Sequence, residues 1–102
     1  MRLLASEHTE ITKVLKKYYE KEDYSLVKRR GWVYIEIGEK TFAFHRKKTL
    51  QLSQGIFEER IQYFVRMEKE VQPANGFPEV IVKLTQWLKK LNQFGPYESN
   101  MG

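Results

Sequence analysis

The chain has 102 residues, 41% apolar and 14% aromatic, which suits one domain with enough apolar mass to build a core without metal or disulfide staples. It has no cysteine, which excludes a disulfide framework, a thiol nucleophile and a zinc-finger ligand set, and no apolar run approaches the roughly 20 residues that span a bilayer. The net charge of +5 is concentrated: residues 24–55 hold seven basic side chains (Lys28, Arg29, Arg30, Lys40, Arg46, Lys47, Lys48) against Glu36 and Glu39, while residues 1–23 balance, a pattern that points to an anionic partner.

Along the chain, Leu3, Leu4 and Ala5 give way at once to Ser6, Glu7 and His8, so no signal peptide is expected and the cytoplasm is the expected location. Thr9 to Lys21 reads as a helix, because Ile11, Val14, Leu15 and Tyr18 fall on one stripe with Lys13, Lys16 and Lys17 outside it. The period then changes to two. Tyr24–Arg29, Trp32–Ile37 and Thr41–Lys47 are rich in β-branched and aromatic residues, and two-residue turns at Arg30-Gly31 and Gly38-Glu39 separate them. Those turns put Tyr24, Leu26, Val33, Ile35, Ile37, Phe42 and Phe44 on a core face. Val27, Arg29, Trp32, Tyr34, Glu36, Ala43, His45 and Lys47 fall on the other.

After a connector at Thr49–Ser53, a second helix is predicted from Gln54 to Val71 on the spacing of Phe57, Ile61, Phe64, Val65 and Met67, ended by Pro73, Asn75 and Gly76. Pro78 opens a third, lined by Ile81, Leu84, Trp87, Leu88 and Leu91, that runs out near Gly95-Pro96. The expected fold class is α+β: a three-stranded antiparallel meander with helices in the order α-β-β-β-α-α. Residues 1–96 form a single domain in this reading, and 97–102 a flexible tail.

The expected nucleic-acid-binding residues are Lys28, Arg29, Arg30, Trp32, Tyr34, His45, Arg46, Lys47 and Lys48. Rings interleaved with cations suit single strands, since rings stack on bases at ~1–3 kcal/mol each and cations follow the phosphates. The competing reading has the third helix, with Trp87 and Phe94, covering this face as a second small core. Catalytic residues are not expected. His45 beside Arg46-Lys47-Lys48 could protonate a leaving group in metal-free RNA cleavage, but a strand-face histidine without that role is commoner. Glu58 and Glu59 have no His or Asp at metal-ligand spacing, and Gly31, Gly38 and Gly55 make no phosphate loop, so neither metal nor cofactor is expected. A helix-turn-helix is disfavoured by a connection holding Pro73 and Pro78 and by a third helix without arginine.

The stretch Glu10–Ile61 resembles HicA-type mRNA-interferase toxins, which share a helix–three strands–helix order with the double-stranded-RNA-binding fold. The resemblance is carried by Leu15-Lys16-Lys17, by the run Tyr24 to Gly31, by a third strand leading to His45, and by Leu52-Ser53-Gln54-Gly55-Ile56-Phe57 opening a helix. Those toxins carry a catalytic Gly-Ser-His, whereas Gly31 is followed here by Trp32 and Val33, so the resemblance implies an RNA-facing scaffold without RNase activity. The double-stranded-RNA family sets a Lys-Lys pair at the start of its last helix; Lys47-Lys48 comes several residues before that place.

The expectation is a small non-catalytic accessory protein that binds RNA or single-stranded DNA. The alternative is an interaction or inhibitor module of mobile-element or phage type. It would dock on an acidic protein surface, or form a homodimer through the surplus apolar residues of the last two helices (Ile56, Tyr63, Met67, Val80, Trp87, Phe94). No membrane partner is expected.

Overall fold

Four two-residue turns set the architecture. In the computed structural model, which describes residues 3–93, Arg30 (φ 49°) and Gly31 (φ 84°) both take left-handed backbone, the requirement of a type I′ turn. Gln54 (φ 53°) and Gly55 (φ 78°) repeat it, while Gly38 (φ 61°) and Glu68 (φ 59°) each open a turn with one positive φ. Each turn matches the twist of the strands it joins, and the result is a five-stranded antiparallel meander in sequential order. The strands are β1 (Ser25–Arg29), β2 (Trp32–Ile37), β3 (Lys40–Ser53), β4 (Ile56–Met67) and β5 (Glu70–Ala74). Helix α1 (Ala5–Leu15) and a single 3-10 turn (Lys21–Asp23) precede the sheet; helix α2 (Phe77–Gln93) follows it.

The expected order α-β-β-β-α-α is therefore corrected to α-β-β-β-β-β-α: five strands and two helices instead of three and three. The predicted helix Gln54–Val71 is the β3–β4 turn, strand β4, the turn after it and the start of β5. The connector Thr49–Ser53 is the end of β3. Phe57, Ile61 and Val65 are four residues apart, a spacing that shares one side of a helix and also one face of a strand. The arbitrating signals were the β-branched and aromatic run Ile61-Gln62-Tyr63-Phe64-Val65 and the Gln54-Gly55 turn. Pro73, read as a helix stop, sits in β5 at the sheet edge, where a residue without an N–H is tolerated. The α-β-β-β-α order that the resemblance implied is not the order found, and Leu52–Phe57 is a hairpin tip.

For β1 to β3 the expected faces hold. Leu26 pairs with Ile35, Ile35 with Phe42, and Val33 with Phe44, all on the core face; Val27 pairs with Tyr34 and Tyr34 with Ala43 on the other. Both helices lie on the core face. Ile11, Val14 and Leu15 of α1 and Val80, Leu84, Trp87 and Leu88 of α2 are buried with Val33, Ile35, Phe42, Phe44 and Val65. Trp87 packs on Phe42, ring centroids 5.5 Å apart, and Phe77 stands edge-on to Phe44 at 5.8 Å. Helix α1 starts four residues before the predicted Thr9 and ends at Leu15, with Glu7 accepting a hydrogen bond from the Leu4 amide (3.1 Å) at its N-terminus. Pro78 falls in the first turn of α2. Phe94, the Gly95-Pro96 stop and the 97–102 tail lie outside the described residues.

Strands β3 and β4 outrun their neighbours. Beyond Arg46–Tyr63 they pair only with each other as far as Ser53–Ile56, an arm that gives the molecule extents of 63 × 22 × 21 Å.

Candidate nucleic-acid interface

The face of the sheet away from the helices carries the rings. Trp32 opens β2 directly after its turn, which sets it beside His45 of β3; the rings stack with centroids 5.1 Å apart and planes 28° apart. Phe64 of β4 continues the row on the other side of His45, at 6.2 Å and 23°. The Nδ1 atom of His45 lies 3.1 Å from the Gly31 carbonyl oxygen, so the ring is fixed both by its neighbours and by the β1–β2 turn. Tyr34 lies next along β2, with the Arg29 guanidinium 5.6 Å from its ring centre, cation over ring. All four rings are half-buried and Arg29 is exposed.

The competing reading, in which a C-terminal helix covers this face, is overturned for Trp87. It is buried on the opposite side of the sheet against Phe42, and among the described residues no helix lies over the ring row.

Alternation divides the nine expected binding residues. Arg29, Trp32, Tyr34, His45 and Lys47 share the open face, and Arg30 sits in the turn beside them. Lys28 pairs with Val33, Arg46 with Tyr63 and Lys48 with Ile61, which puts these three on the helix-bearing side. Arg46 is not a surface cation: its Nη1 lies 3.2 Å from a carboxylate oxygen of buried Glu7, which also accepts a 2.6 Å hydrogen bond from the Tyr63 hydroxyl. Lys48 pairs with Glu59 at 3.2 Å across the arm. The charge concentrated in residues 24–55 is thus shared between two faces of the sheet.

Three residues of the open face were missed: Phe64, Arg60 and Arg66. They belong to the stretch read as a helix, and the alternation Gln62, Phe64, Arg66 against Tyr63, Val65, Met67 was the signal that could have found them. With them the open face carries Arg29, Lys47, Arg60 and Arg66 against Glu36 and Glu58. Glu36 lies 3.8 Å from Arg29; among the described residues no carboxylate comes within ion-pair distance of Lys47, Arg60 or Arg66. Among the described residues no three His, Asp or Glu side chains gather to hold a metal ion.

Comparison with protein-family models, with curated proteins and with solved structures finds no match.

Proposed function

We propose that the protein binds single-stranded nucleic acid, RNA or DNA, on the open face of its sheet, without catalysis and in the cytoplasm. The observation that carries this reading is the placement of both helices on one side, which leaves Trp32, Tyr34, His45 and Phe64 uncovered beside Arg29, Lys47, Arg60 and Arg66. A single strand crossing β2, β3 and β4 would meet rings for its bases and cations for its phosphates. His45 has a ring on either side, so bases stack on the ends of the row and on Tyr34, and His45 serves to hold the row in register. Its Nδ1 contact to the Gly31 carbonyl is a further positional tie.

The test is a fluorescence-anisotropy titration of labelled single-stranded RNA, single-stranded DNA and duplex at several salt concentrations. Trp32→Ala should cost ~1–3 kcal/mol on single strands with the salt dependence unchanged. Lys47→Ala and Arg66→Ala should each flatten the salt slope by about one unit. Lys28→Ala and Lys48→Ala, on the other side of the sheet, should do neither. Equal losses from both groups, or no single-strand binding at low salt, would sink the proposal.

A further inference from the structure

The arm has a second surface, on the side opposite the ring row. Leu50, Leu52, Phe57 and Ile61 lie on the face continuous with the core and are 69, 63, 70 and 55% exposed. The reverse of the arm is polar except at its tip: Lys47, Thr49, Gln51 and Ser53 against Gln62, Arg60, Glu58 and Ile56. An amphipathic two-stranded ribbon alone in water is marginally stable, and its apolar face calls for a covering layer. Over the body that layer is the two helices. It stops at the base of the arm, where Glu7 and Phe77 contact Tyr63.

We propose that the apolar face of the arm is covered by the same face of a second copy of this chain, in a twofold dimer whose arms lie antiparallel and face to face. Charge, area and shape all select a second copy. The face carries one cation and one anion, Lys48 and Glu59, 3.2 Å apart and both more than half exposed. A twofold axis crossing the ribbon between the Lys48–Ile61 and Leu50–Glu59 levels brings Lys48 alongside the partner's Glu59 and opposes no like charges, the condition for a self-complementary contact. A face with one positive and one negative charge offers nucleic acid no net attraction. The four apolar side chains and the stems of Lys48 and Glu59, at roughly 80 Å² each, bury about 1,000 Å² over two copies, the size of a weak, reversible interface. Stacked about 10 Å above the ribbon, the partner's arm continues the helical layer. Its tip residues Leu52 and Phe57 then settle beside Tyr63 and Leu4, the latter 44% exposed at the start of α1.

The experiment is sedimentation equilibrium of the full chain between about 1 and 100 µM, concentrations that bracket a micromolar dissociation constant. A dimer is expected. Phe57→Asp and Leu50→Asp, at positions too exposed to hold the fold, should each weaken it by roughly a hundredfold, the scale of losing a central anchor. Far-ultraviolet circular dichroism should stay unchanged. Lys48→Glu or Glu59→Lys should weaken the dimer, and the double exchange should restore it. A monomer throughout the range, or a dimer indifferent to Phe57→Asp and Leu50→Asp, would overturn the proposal. So would a monomer that floats with neutral phosphatidylcholine vesicles through Phe57, because lipid would then be the cover.

Discussion

Glu7, Arg46 and Tyr63 form the most consequential polar cluster of the fold. A carboxylate 3% exposed is tolerable only with its charge answered, and here a guanidinium, a phenol and the Leu4 amide answer it. The cluster ties the first turn of α1 to the base of the arm. Tyr63→Phe deletes one hydrogen bond to a charged acceptor and should cost about 1.5–3 kcal/mol in chemical denaturation. Burial, and then the hydrogen bond to Glu7, hold the Tyr63 hydroxyl above the ordinary phenol value, against the opposing pull of Arg46. Burial acts likewise on Tyr19. A raised folded-state value means that the stability is fully present below pH about 10 and is lost as pH climbs through the folded value. Tyr63→Phe should therefore make the alkaline loss of stability shallower, and unfolding midpoints taken from pH 8 to 12 would show it. Trp87 makes a different case. Its ring is core, packed on Phe42, but its buried indole N–H has no hydrogen-bond partner among the described residues. Trp87→Phe keeps an aromatic and removes the unsatisfied donor, so stability should stay within about 1 kcal/mol of the parent. Trp87→Ala should cost about 3–5 kcal/mol. The expectation that Trp87 serves a helix-mediated dimer falls with its burial.

The β3–β4 hairpin is where local sequence and tertiary context compete most openly. Its turn needs left-handed backbone at both central positions, which Gly55 takes without strain and Gln54 does not. Asn is the better residue at the first position, so Gln54→Asn should stabilise the arm by a few tenths of a kcal/mol and slow hydrogen exchange of amides between Thr49 and Arg60. Exchange that quickens instead would show that the turn does not set the register. Three of the four rings, Trp32, Tyr34 and His45, were legible in the sequence because β1, β2 and β3 alternate cleanly and their turns contain glycine. The fourth, Phe64, was hidden together with Arg60 and Arg66 because Phe57, Ile61 and Val65 satisfy a helical and an extended period equally.

At the scale of the molecule, the body and the arm are separable. The body is held by three sets of contacts: a core shared by both helices, the Glu7 cluster, and a Lys83–Gln72 hydrogen bond of 2.9 Å from α2 to β5. The arm has cross-strand pairs alone. Replacing residues 48–61 by Asn-Gly, which rejoins the paired residues Lys47 and Gln62, should leave thermal unfolding cooperative and the midpoint within a few degrees of the parent. Single-strand binding should persist in that variant with a salt slope flatter by about one unit, for the loss of Arg60, and self-association should vanish. A truncated chain that fails to fold would show that the arm is part of the body's cooperative unit. No helix among the described residues is long and apolar enough to cross a membrane.

By itself the sequence determined the α+β class, the hairpins of β1 to β3, the amphipathic stripe of α2 and the two faces of the first three strands. Each of these depends on neighbours within a few residues: a glycine that permits positive φ, a proline in a first turn, an alternation of period two. The tertiary structure decided the rest. It decided that Ile56–Met67 is a strand, because β3 offers an unpaired edge over its whole length and pairing satisfies the backbone groups that each strand turns toward the other. It decided that Trp87 is core and Trp32 is not, because both helices share one side of the sheet. And it drew Arg46 from the basic run onto buried Glu7, thirty-nine residues away, a pairing that no local pattern encodes.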